Sequence, residues 1–279
     1  MTQGDRWITV NGLKFHYIEW GAPPAPTLVL LHGFTGHART WDHFAESAAD
    51  RFRVLTLDQR GHGDSDWAPD ADYGATSMAG DLEAFVDALC PGRFSLLGLS
   101  MGGRVSIVYA GAHPERVERL ILVDIGPDIA PEGMRRILTT VSTVPEELES
   151  EEQAYQLLRA ADPRYSEPLL RHRVKHSLTR LPNGKLAWKY DKALRDRAGR
   201  GGRDLPNLWP DLARIACPTL IIRGAESDVL SPHTAKRMLE TIKEARLVEV
   251  PEAGHAVVGD QPETFAQVAR DFLLNDHLP

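Results

Sequence analysis

Five consecutive residues, Gly98-Leu99-Ser100-Met101-Gly102, place a serine between glycines at the spacing Gly-x-Ser-x-Gly. A serine hydroxyl becomes a useful nucleophile only when a neighbouring base takes its proton. The pentad follows an apolar run at residues 94–97 and precedes a helical pattern from about Gly103, the strand-turn-helix setting that exposes such a serine. Glycines are needed on either side because side chains there would collide with neighbouring backbone. The turn sets Oγ at a helix N-terminus, whose partial positive charge favours the charge that develops there. The same pentad also occurs as an ordinary Gly/Ser loop, and the flanking strand and helix argue against that. His32-Gly33-Phe34 follows another apolar run, residues 27–31, where a backbone N–H can face the nucleophile. The amides of Phe34 and Met101 are the expected donors to an oxyanion. Asp58-Gln59-Arg60-Gly61-His62-Gly63-Asp64-Ser65 follows a third run, and its small and charged residues suit the bracing of a nearby loop.

The elements that must hold these residues alternate along the chain. Residues 6–10 and 13–20 flank Asn11-Gly12, a hairpin turn dipeptide. Residues 27–31, 54–57 and 94–99 are short apolar runs without polar alternation, as in strands covered on both faces of a parallel sheet. Between them lies a helical pattern at 76–89, with Met78, Leu82, Phe85, Val86 and Leu89 at intervals of three and four. The rhythm resumes at 119–123, breaks until Pro218, and returns as strands at 219–223 and 246–250 with helices near 233–242 and 261–274. Such βα alternation predicts an α/β fold with a mostly parallel, doubly wound sheet. The interruption at 128–210 is rich in Glu, Arg, Leu and Ala and is expected to be a mostly helical insertion.

With these motifs the chain resembles the α/β-hydrolase family, in its capped branch of esterases, lactonases and cofactor-free haloperoxidase-like enzymes. The resemblance spans almost everything outside the interruption. It departs at Leu99, where that branch often has histidine, and at Gln59, where small or aromatic residues are frequent. The resemblance implies a core of residues 1–127 and 211–279 and a helical cap at 128–210. It also implies nucleophile, acid and base in chain order, which places the base at His255 of Gly254-His255, in the last loop. The acid is expected at Asp228, just past 219–223, where the family usually carries it, with Asp124 at the end of 119–123 as the alternative. Either carboxylate would fix the imidazole tautomer and stabilise the imidazolium. An ester, thioester or lactone hydrolase working through an acyl-enzyme on Ser100 follows, with no metal and no organic cofactor. Carbon–carbon or amide bond hydrolysis uses the same triad, and a catalytically silent binding protein is the rival of another class. A serine nucleophile disfavours dehalogenase and epoxide hydrolase chemistry, which want a carboxylate.

Substrate choice is expected in the cap, where Trp188, Tyr190 and Trp209 could wall an apolar pocket or pack a core. Residues 159–203 hold 13 Lys or Arg against 4 Asp or Glu, in a chain of net charge −7. That asymmetry is either a solvated face or a basic lid drawing in carboxylate-bearing substrates. His172 and His176, four apart, lack the acidic partner of a zinc site and fit a solvated helix. Cys90 and Cys217 lack redox or zinc spacing and are expected as buried thiols, with pairing to each other left open. The acidic balance disfavours nucleic acid and anionic lipid partners. No run of about 18 apolar residues occurs, and the first ten residues hold no signal-like stretch, so a cytoplasmic monomer or homodimer acting on a small molecule is expected.

Overall fold

A computed structural model of the protein describes residues 3–195 and 205–275. The Gly-Arg-Gly-Gly-Arg stretch ending at 203 lies outside them. Strands β1 (Gln3–Val10) and β2 (Leu13–Trp20) form the expected hairpin. Asn11 and Gly12 both take positive φ, 51° and 76°, as a two-residue turn that follows strand twist requires. Next come β3 (Thr27–Leu31), α1 (Asp42–Ala48), β4 (Arg53–Leu57), α2 (Ala75–Leu89), β5 (Phe94–Leu99), α3 (Met101–Ala112) and β6 (Val117–Val123).

The segment between β6 and the next core strand holds α4 (Pro131–Thr143), β7 (Glu147–Leu148), α5 (Glu151–Ala161), α6 (Glu167–Ser177), β8 (Leu178–Arg180), β9 (Leu186–Trp188) and α7 (Trp209–Leu212). The chain then returns through β10 (Thr219–Gly224), α8 (Pro232–Thr241), β11 (Ala245–Val250), α9 (Val257–Asp260) and α10 (Pro262–Leu274). The segment carries one feature beyond the expected helices, a small antiparallel sheet in the order β7-β9-β8. Strands of two and three residues are too short to show a period in sequence.

The main sheet has eight strands in the order β1-β2-β4-β3-β5-β6-β10-β11. β2 runs antiparallel to both its neighbours, and every other pair is parallel. Alternate residues of the central strands feed two cores. Val29, Leu31 and Leu96 join the one that includes Met78, Leu82 and Phe85 of α2. Leu28, Leu30 and Leu97 join the one that includes Phe44 of α1 and Phe265 of α10. Both faces are therefore covered, which is why these strands read as continuous apolar runs.

Register decides where the chemistry-bearing residues emerge. Leu31 pairs with Gly98, Leu99 with Val123, and Val123 lies beside Ile222 through the β6–β10 ladder. The turns that follow β3, β5, β6 and β10 thus leave the sheet side by side, at the carboxyl edge where open α/β sheets hold ligands. Among the described residues no helix is long and apolar enough to cross a membrane.

Candidate active site

Ser100 sits between β5 and α3 with φ 52° and ψ −114°. A non-glycine residue in that region is strained, and the surroundings hold it there. Its N–H donates to Val123 O (3.1 Å), and the Gly102 N–H donates to His32 O (3.1 Å). A Cβ on Gly98 would lie 2.4 Å from Gly102 O, and one on Gly102 would lie 2.4 Å from Leu31 O. Both glycines are thus required by close backbone approach.

Ser100 Oγ and His255 Nε2 are 3.0 Å apart, and His255 Nδ1 is 2.8 Å from Asp124 Oδ2. With the ring hydrogen on Nδ1, His255 donates to Asp124 and accepts from the serine hydroxyl. Asp124 is fully buried. Its Oδ1 accepts from the Gly224 N–H (2.9 Å) and its Oδ2 also accepts from Ser227 Oγ. The structure therefore brings together Ser100, His255 and Asp124.

Asp228, the expected acid, points elsewhere. Both its carboxylate oxygens accept from Arg136 of α4, from Nε at 2.6 Å and Nη2 at 2.8 Å, and that hydrogen bonding holds its pKa below the ordinary carboxylate value. The reason is the turn after β10. Ser227 directs its hydroxyl at Asp124 while accepting from the Val229 and Leu230 amides, and this aims the next side chain at α4.

The loop after β3 passes across the serine: a Cβ on Gly33 would lie 3.3 Å from Ser100 Cβ. Among the described residues the amides of Phe34 and Met101 meet no protein acceptor. Met101 opens α3, so its N–H is one of those a helix leaves unpaired. The loop is braced from beneath. His32 is completely buried and donates from Nδ1 to Gly33 O (2.8 Å), while its Nε2 accepts from the Gln59 N–H (3.1 Å). Burial pushes its pKa down to about 3, so the ring is neutral. Asp58 accepts from the amides of Ala38 (2.5 Å) and Asp64 (2.9 Å) and from His16 Nδ1 (2.7 Å). Burial would raise its pKa, but the bond and charge of His16 outweigh that and bring it down to about 2.

Ser100 and His255 open onto a cavity of about 130 Å3. Its roof comes from the segment after β6: Ile137 and Val141 of α4, Leu158 of α5, then Tyr165, and Arg173 of α6. Trp188, Tyr190 and Trp209 are not among its walls. Trp188 and Tyr190 are buried and stacked (6.2 Å between centroids), with Trp188 Nε1 donating to Pro145 O. The backbone on either side of Tyr190 fastens the segment to the core, since the Gly63 N–H donates to Lys189 O and the Asp191 N–H to Gly61 O. Trp209 donates to Asp128 and lies under the Arg237 guanidinium, 3.8 Å from the ring centroid.

Some cations of the basic run are paired: Arg164 with Glu226, Arg171 with Glu152 and Glu167, Lys185 with Glu147 and Glu149, Lys189 with Asp64. His172 pairs with Asp42 (3.0 Å), with the His176 ring 4.6 Å away. Cys90 and Cys217 are buried, free thiols. Sequence reasoning missed Ser227, Arg136, Asp162 and Arg173; none stands in a local motif, and only the fold gathers them.

A sequence profile of the α/β-hydrolase fold matches residues 26–262. The chain belongs to the α/β-hydrolase family and is a hydrolase of that fold. It is 29% identical to an esterase of Mycobacterium tuberculosis over 262 residues, 92% of this chain and 85% of the relative. It is 30% identical to N-formylmaleamate deformylase of Pseudomonas putida over 275 residues, 97% of this chain and 96% of the relative. The solved structure of E-2-(acetamidomethylene)succinate hydrolase superimposes with a TM-score of 0.89 at 25% identity, covering 98% of this chain and 99% of that one.

Proposed function

We propose that the protein is a serine hydrolase of carboxylic esters with small acyl groups, working through an acyl-enzyme on Ser100. The observation that carries this is the hydrogen-bonded row Ser100 Oγ, His255, Asp124, with its serine end open to a cavity. As Oγ attacks the carbonyl, His255 takes its proton, and buried Asp124 stabilises the imidazolium and fixes the tautomer. The carbonyl oxygen becomes an oxyanion held by the Phe34 and Met101 amides. His255 then passes the proton to the departing alkoxide. Water, deprotonated by the same imidazole, cleaves the acyl-enzyme and releases the acid. The segment at 128–210 acts as the cap that closes the acyl site. A cavity of about 130 Å3, well under the roughly 300–1,000 Å3 of sites for drug-sized ligands, suits short acyl groups.

The test is hydrolysis of p-nitrophenyl acetate, butyrate and octanoate by the wild type beside Ser100→Ala and His255→Ala. Saturable turnover, falling at octanoate and lost in both variants, is the expected result. Absence of turnover together with absence of labelling by an organophosphonate would remove the enzyme reading and favour a ligand-binding protein. Amide hydrolysis is the second reading, favoured by the likeness to N-formylmaleamate deformylase. Turnover of an anilide faster than of the matching ester would put it first.

A further inference from the structure

Two arginines, Arg136 and Arg173, line the cavity that contains Ser100 and His255. Much of the remaining wall is apolar, and Asp162 is its one carboxylate among the described residues. Arg173 is the more enclosed arginine, with 14% of its side-chain surface exposed against 34% for Arg136. Its Nη1 donates to Asp162 Oδ2 (2.9 Å), and its guanidinium lies 5.7 Å from the Tyr165 ring centroid. Its Nε and Nη2 meet no acceptor among the described residues. Arg136 is fixed in the same manner, with Asp228 taking Nε and Nη2 and Nη1 left over.

A guanidinium has five N–H donors in a rigid planar fork. Donors left without a protein partner at the wall of a cavity are open to a polar group that enters it. Asp162 and Tyr165 hold one edge and one face of Arg173, so the free edge has a fixed direction before any ligand arrives. A carboxylate matches that edge by shape and charge, through paired N–H···O bonds.

We infer that Arg173, aided by Arg136, is a carboxylate subsite of the acyl cavity, and that the preferred substrates are half-esters of short dicarboxylic acids. This rests on the serine-hydrolase reading and sharpens it. Asp228 and Asp162 are positioning residues in this arrangement, each orienting one arginine.

The experiment compares mono-p-nitrophenyl glutarate with p-nitrophenyl butyrate, which share the leaving group and differ in the terminal carboxylate. The wild type should show a kcat/KM at least tenfold higher for the glutarate. Hydrogen bonds to charged groups are each worth a factor of roughly ten to one hundred, so Arg173→Met should lower the glutarate-to-butyrate ratio about 30-fold. Arg173→Lys, which keeps charge but not the fork, should restore part of it. An unchanged ratio in Arg173→Met, or no preference in the wild type while butyrate is turned over, overturns the subsite and leaves the esterase intact. If neither ester is turned over and Ser100 resists a phosphonate, the esterase reading fails and the subsite falls with it. Should Arg173→Met not fold, the wild type alone decides. Glutarate should compete with p-nitrophenyl butyrate at concentrations where glutaramide does not, and equal inhibition by the two overturns the inference.

Discussion

Asp124 meets three donors at once, the His255 ring, the Gly224 amide and the Ser227 hydroxyl, and none of the three is near it in sequence. Replacing it by Asn puts an NH2 group either in the place of Oδ2, where the imidazole loses its orienting acceptor, or in the place of Oδ1, where it opposes the Gly224 N–H. Loss of the triad carboxylate costs about 10^4-fold in kcat in other serine enzymes, and Asp124→Asn should fall by a similar factor. Asp228→Asn removes only a half-exposed pair with Arg136, and such pairs contribute about 0–1 kcal/mol. Its kcat on p-nitrophenyl butyrate should drop less than tenfold. Steady-state kinetics on the two variants side by side would reveal an inverted order if Asp228 were the acid after all. Ser100 and His255 were legible because each sits in its own glycine-marked turn. The carboxylate beside the histidine was not, because β6 and β10 are neighbours and both end in a carboxylate-bearing turn. Which of the two reaches the histidine depends on Ser227 turning back toward β6, and no local sequence pattern records that.

At the scale of elements, the buried strands and the hairpin were legible because their signals are local: continuous apolar runs, and one Asn-Gly turn. The three short strands beyond α4 were not, since a two-residue strand has no period to detect. The strand-turn-helix around Ser100 shows how much depends on a single atom. In Gly102→Ala the new Cβ would meet Leu31 O at 2.4 Å and His32 O at 2.7 Å, both backbone atoms of the strand and loop that carry Phe34. Neither can rotate away, so α3 and β3 must separate. Overpacking of this kind costs about 1–3 kcal/mol or more. The denaturation midpoint should fall accordingly, and activity should fall further than stability, because the serine moves relative to the Phe34 amide. A variant destabilised but fully active would mean that the Phe34 amide plays no part in the reaction.

For the whole molecule, the net charge of −7 says little about stability, whereas the interior says more. His32, His37 and His62 are buried at 0–3% exposure, and burial lowers their pKa values to about 3, 4 and 4. Unfolded, each would titrate near 6.5. Between those values the unfolded chain binds protons that the folded chain refuses, so the contribution of each ring is present above about pH 6.5 and is lost as pH falls toward 4. Asp260 runs the other way. Burial raises its pKa to about 6, so its contribution is present below about pH 4 and lost as pH rises through 6. Asp58, held near 2, loses its contribution only as pH falls below about 4. Near pH 5 the imidazoles with lowered pKa values, His176 at about 4 among them, outnumber the one raised carboxyl, so unfolding takes up protons and stability falls with pH. Urea midpoints at pH 7.5, 6.5, 5.5 and 4.5 should therefore fall steeply below 6.5. Asp260→Asn, which keeps an acceptor for the Gly254 amide but cannot titrate, should make the fall steeper. A midpoint unchanged between pH 6.5 and 4.5 would mean that these rings already carry protons in the folded protein, and the neutral brace beneath the Phe34 loop would have to be abandoned.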